Sequence, residues 1–109
     1  MKKAAITPEQ IKKWKKEHGD VHVIKIGDTK GDDGKVTGEV KVGYLREPQF
    51  ADLSLAQNAG SGIDFANSIL QNCWLGGDED IKMHDKYRLA ACTVIDKLID
   101  YKEASLEKL

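Results

Sequence analysis

The chain has 109 residues, 40% of them hydrophobic and 32% charged, a balance that suits one folded domain and is too apolar for wholesale disorder. Seventeen basic and eighteen acidic side chains nearly cancel, and only Arg46 and Arg88 are arginines. The cationic excess that releases phosphate counterions is missing, so no nucleic-acid partner is expected. No apolar run approaches the ~20 residues that cross a bilayer, and no membrane partner is expected either.

Met1-Lys2-Lys3 has the charge of a signal-peptide n-region, but Thr7-Pro8-Glu9-Gln10 stands where an apolar stretch should follow. Two cysteines, Cys73 and Cys92, do not make a disulfide framework. Both fall in apolar helical patterns and read as buried free thiols in a reducing compartment, which implies a cytoplasmic protein.

Thr7 suits an N-cap, Pro8 a first helical position and Gln10 a capping-box partner, while Ile6 and Ile11 have the spacing of a hydrophobic staple. These signals predict a helix to about His18, closed at Gly19. Its apolar stripe is Ile11 and Trp14, ringed by Lys12, Lys13, Lys15 and Lys16, a cluster that reads as a solvated face.

Val21 to Ile26 is β-branched and of strand length, and the glycine-rich stretch Gly27 to Gly34 reads as a turn. Val36 to Leu45 then alternates, with Val36, Val40, Val42 and Tyr44 on one face and Thr37, Glu39 and Lys41 on the other. A β-hairpin is expected, with Gly38 and Gly43 marking a bulge or a close approach.

From Pro48 the period changes to about 3.6. Phe50, Leu53 and Ala56 share a helix face that ends at Gly60, and a second helix capped by Ser61 or Asp64 carries Phe65, Ile69, Leu70, Cys73 and Trp74 to Gly76-Gly77. Asp78 to Met83 reads as a connector. A last helix starts at His84 or Asp85 and presents Leu89, Cys92, Ile95, Leu98/Ile99 and Leu106. The expected architecture is one α+β domain over residues 1–109: an N-terminal helix and a two-stranded antiparallel hairpin (1–45), then a three-helix C-terminal bundle (46–109).

The chemical motifs fail on specific residues. An EF-hand loop started at Asp28 would place Lys30 at the third ligand position and Asp33 at the obligatory glycine. Cys73, His84 and Cys92 are eleven and eight residues apart, unlike the tight pairs of a zinc site, and a thiolate on an apolar stripe would be poorly stabilised. The acidic loop Asp78-Glu79-Asp80 has no neighbouring base, and no phosphate-binding glycine pattern occurs. No catalytic residue, cofactor or metal is therefore expected, and the chain reads as a non-enzymatic binding protein. Trp74, beside Leu75 at a helix end, is either core or an interface anchor.

Tyr44-Leu45-Arg46-Glu47-Pro48-Gln49-Phe50-Ala51-Asp52-Leu53 resembles the strand, Leu-Arg-x-Pro, helix start of phage tail assembly chaperones. The segment from Ile69 to Ile81, with Cys73-Trp74 and Asp78-Glu79-Asp80, is similar to the cysteine-containing helix and acidic turn of that group, and the Asp85 helix to its closing helix. The combined pattern also resembles small prophage proteins of gut bacteria. The resemblance covers roughly residues 40–109. It implies a non-enzymatic role in the host bacterial cytoplasm, holding the tape measure protein or another tail protein through exposed apolar helix surface. Phe65, Trp74, Leu75 and Ile81 are the expected protein-binding residues. The alternatives are another phage structural or completion protein, or a small metal-binding or regulatory adaptor; self-association into a homo-oligomer is compatible with all of them.

Overall fold

The computed structural model describes residues 6–99 and 104–109. Helix α1 (Pro8–His18) starts where its signals sit: the Gln10 N–H donates to Thr7 Oγ1 at 3.2 Å, and the chain closes at Gly19, whose N–H donates to the Lys15 carbonyl. The capping chemistry is local, so it survives any tertiary context.

Strand β1 (Val21–Ile26) pairs antiparallel with β4 (Lys41–Arg46), Ile24 opposite Gly43 and His22 opposite Leu45. Between them the expected second strand is broken in two. Thr29–Lys30 (β2) and Val36–Thr37 (β3) form a separate two-stranded arm, and the chain turns at Gly38, with φ of +92°. A Cβ at Gly38 would also lie 2.5 Å from a carboxylate oxygen of Asp28, so this turn requires glycine on two grounds.

Helices α2 (Phe50–Ala59) and α3 (Ile63–Cys73) then pack side by side. The chain runs directly from α3 into strand β5 (Trp74–Gly77), which pairs antiparallel with β4 and shifts register between Tyr44 and Leu45. The sheet is thus three-stranded, in the order β1-β4-β5, and the expected two-stranded hairpin is corrected by this added strand. A short turn α4 (Asp80–Met83) and helix α5 (Asp85–Cys92) follow, and a 3-10 turn spans Ile95–Leu98. The class is α+β. A three-helix bundle is not formed, because Trp74–Gly77 leaves the helical layer to complete the sheet.

The last helix also stops earlier than its apolar spacing implies. The N–H groups of Thr93 and Val94 donate to carbonyls three residues back, and Thr93 Oγ1 donates to the Ala90 carbonyl at 2.6 Å. Two β-branched residues in succession loosen the α geometry here and tighten it into 3-10 form. Residues 100–103 of the expected helix lie outside the described residues, and Leu106 is fully exposed coil.

The sheet divides two layers. On one face Tyr44 meets Trp14 of α1, ring centroids 5.8 Å apart, and Trp14 also covers Gly76. On the other, Ile24, Ile26 and Leu45 join Ala56, Ala66, Ile69, Leu70, Cys73, Ile81, Ala91, Ile95 and Leu98 in one core. The strand period of two assigns these faces: Leu45, which the apolar alternation left with the polar set, is 1% exposed, whereas Tyr44 is turned to α1. Gly43 sits on the core face because the Trp74 ring lies where its side chain would be; a Cβ there would be 2.5 Å from the ring.

Candidate interaction surface

The residues that carry the phage-chaperone resemblance build a joint. Arg46, the last residue of β4, donates from Nη1 and Nη2 to the two carboxylate oxygens of Asp52 in α2, at 2.7 and 3.0 Å. Its Nη2 also donates to the Asn72 carbonyl in the last turn of α3 at 3.0 Å. Asp52 in turn accepts from the Gln49 N–H at 2.8 Å, which caps α2. One guanidinium therefore ties a strand end, a helix start and a helix end. Hydrogen bonding to Arg46 is the main cause holding the Asp52 carboxyl below the ordinary carboxylate range, against the opposing effect of burial. Cys73, next to this joint, is wholly buried, and desolvation pushes its thiol up to about 11.

The acidic turn is structural in the same sense. Asp78 and Val42 exchange bonds, the Asp78 N–H to the Val42 carbonyl at 2.8 Å and the Val42 N–H to Asp78 Oδ2 at 2.9 Å, which prolongs the β4–β5 ladder. Lys41 lies 3.3 Å from both Asp80 and Glu39, with its ammonium over the Tyr87 ring. Among the described residues no group of three or more His, Cys, Asp or Glu side chains is placed to hold a metal ion. No helix among them is long and apolar enough to cross a membrane.

The four expected protein-binding residues do not form one surface. Ile81 is 0% exposed and belongs to the core, so it offers a partner nothing while the domain is folded. Trp74 and Leu75 are half-buried in β5, and the Trp74 ring packs on Gly43 with the Lys82 ammonium 5.3 Å from its centre. Phe65 is half-buried toward the N-terminal end of α3.

Solvent-facing apolar side chains are found elsewhere. Phe50 and Leu55 on α2 are 86% and 55% exposed, but five residues on a helix turn through about 140° and place them on different faces. Ile63 on α3 and Leu89 on α5, both about half exposed, instead line one depression of about 330 Å³ between the two helices. Cys92 lies in its wall and in that of a larger neighbouring hollow, to which Phe65 and Asp96 contribute. Asp64 and Asp85 edge the first depression, and Arg88 donates to Asp85 at 2.8 Å. The two hollows meet at Cys92, and both mix apolar and polar side chains in their walls.

Ile63 and Leu89 were not among the expected residues. Ile63 has a signal in the sequence: it lies about 200° round the helix from Phe65, outside the Phe65–Ile69–Cys73 stripe, an apolar residue with no core role. Leu89 has none, because its spacing to Cys92 and Ile95 fits a core stripe equally well. Comparison with family models, with curated proteins and with solved structures finds no match to this chain.

Proposed function

We propose that the chain is a non-enzymatic binding protein that acts as a phage or prophage tail assembly chaperone in the host cytoplasm, keeping the tape measure protein soluble through its α3–α5 groove. The observation that carries the binding reading is the pair Ile63 and Leu89, both about half exposed and lining one depression between α3 and α5. A long helical client presents apolar residues at i, i+3 and i+4 spacing, and a groove between two helices is the matching receptor. The client's identity comes from the resemblance of residues 40–109 to the chaperone group.

Co-expression with the tape measure protein of the same genome tests the proposal. A soluble complex is expected that is not recovered when this chain is omitted. Equal aggregation of the tape measure protein with and without it overturns the proposal, as does finding the chain in stoichiometric amount in purified virions, which would make it a structural protein.

A further inference from the structure

We infer that strand β1 is the contact between two copies of this chain, each β1 pairing antiparallel with the other through its free edge so that the two sheets continue as one.

The direction of each backbone group follows from the ladder. The Asp78 N–H donates to the Val42 carbonyl and the Val42 N–H to Asp78 Oδ2, so both backbone groups of Val42 point toward β5. Peptide groups alternate along a strand, and those of Lys41, Gly43 and Leu45 therefore point the other way, toward β1. Their partners there are Ile26, Ile24 and His22. The N–H and C=O groups of Val21, Val23 and Lys25 are left on the far side of β1, which is an outer strand of the sheet. No hydrogen bond to any of them occurs among the described residues.

The two edges of the sheet are unlike. Strand β5 has four residues, ends in Gly76-Gly77 and shifts register against β4, which blunts it as a template. Strand β1 has six residues in unbroken register with β4 and no proline, and Lys25 is its only lysine, arginine or acidic residue. Apolar surface gathers on the same edge. Val23 is 51% exposed, and Val94, 36% exposed, lines with it a small hollow beside β1.

This edge is complementary to itself. Two outward residues must stand opposite each other to exchange their hydrogen bonds. When Val23 of each copy faces Val23 of the other, Val21 faces Lys25 of the second copy, and all the outward residues are matched, with about six hydrogen bonds. Sliding by two residues in either direction leaves an outward residue of each strand without a match. Sliding by four toward the C-terminal end sets Lys25 opposite Lys25, which like-charge repulsion disfavours. In the matched register the stem of Lys25 instead covers Val21 of the second copy, and the two exposed Val23 side chains bury each other. The contact is isologous, and the edges it leaves are those of β5, so assembly closes at a dimer.

Sedimentation velocity of the full chain at graded concentration is the first test. A dimer is expected at about 100 µM that dissociates on dilution toward about 1 µM, as suits a contact at the low end of the area range. Amide hydrogen exchange of the unaltered chain locates it: Val21, Val23 and Lys25 should be protected at the high concentration and exchange freely at the low one, while Ile24 stays protected at both. Val23→Lys, at an exposed site, should raise the dissociation constant about tenfold or more by setting like charges opposite each other. Val23→Pro should abolish the dimer, because it removes an outward N–H and leaves the β1–β4 ladder intact. In a Cys92→Ser background, Val23→Cys should form an intermolecular disulfide under mild oxidation, since opposed residues of a bonded pair lie ~5.5 Å apart at Cα. Val21→Cys alone should not, but should cross-link to Lys25→Cys when the two variants are mixed.

A monomer at every concentration overturns the inference, as does exchange at Val23 that ignores concentration. So does a dimer that Val23→Lys and Val23→Pro leave intact while Leu89→Ser abolishes it, which would seat the second copy in the depression between α3 and α5. Cross-linking by Val21→Cys alone, with none by Val23→Cys, overturns the register and with it the self-complementarity. None of the paired residues lines the α3–α5 depression, so these outcomes are independent of the chaperone reading.

Discussion

Substituting Arg46 by Met and Asp52 by Asn, singly and together, tests whether the guanidinium joint holds the helical layer to the sheet. The side chains are 19% and 10% exposed, so neither charge is well solvated when its partner is removed. Removing one member of a buried ion pair costs roughly 3–5 kcal/mol, and the remaining exposure puts Arg46→Met near about 3 kcal/mol. Asp52→Asn keeps an acceptor for Arg46 and for the Gln49 N–H and should cost about 2 kcal/mol. The unfolding entropy of a chain this long is about 230 cal/mol/K, so a loss of ~3 kcal/mol lowers Tm by about 13 °C. Urea unfolding followed by far-UV circular dichroism, with thermal melts alongside, measures each variant. The double variant should be more stable than the sum of the single losses implies, with a coupling of about 2 kcal/mol. Additivity to within ~0.5 kcal/mol would refute the reasoning, because independent sites add to that tolerance.

The same joint sets an acid limit: Asp52 titrates below its unfolded value, so its stabilisation is complete above about pH 4 and is lost as pH falls through the folded pKa. Unfolding by urea between pH 5 and pH 2 should therefore weaken the native chain more than Asp52→Asn. Gly43→Ala drives a methyl group into the Trp74 ring and should cost about 1–3 kcal/mol, partly recovered when Trp74→Leu is added; full additivity of the two in chemical denaturation would contradict the packing described. Trp74→Ala alone should cost about 3 kcal/mol, and a melting temperature within two degrees of the native value would show that the ring is not part of the core. Mass spectrometry after brief iodoacetamide treatment should find Cys92 modified and Cys73 intact, with both modified only in urea. Burial raises both thiols, so Cys92 alkylation should accelerate as pH rises toward 9.

Legibility followed how local each determinant is. Helix α1 could be read residue by residue because Thr7, Pro8, Gln10 and Gly19 act within one turn of themselves. Strand β5 could not, because no breaker separates Cys73 from Trp74, and Trp74 and Leu75 fit a helical stripe until Gly76; only pairing with β4, distant in sequence, makes them a strand. The split at Gly38 was half visible: the glycine marked an irregularity, but whether it bends a strand or ends it depends on Asp28 across the turn. Binary patterning identified the apolar face of α3, whereas in α5 the buried residue is Ala91 and the expected stripe residue Leu89 is half exposed. Patterning is blind to whether a face is covered, which is why Leu89 reads as core; Ile81 was expected at the surface from the resemblance alone, in a segment read as a connector, and is buried.

Trp14 rests on Tyr44 and Gly76, and that platform has an order of assembly built into it. The β1–β4 pair and the α2–α3 pair are each closed by neighbouring segments and are the contacts a growing chain can make early. Strand β5 comes only after α3, so the surface that buries Trp14 is incomplete until Gly77 has been synthesised. Until Gly77 is made, α1 lacks this part of its platform, and its cluster of lysines keeps the waiting segment soluble.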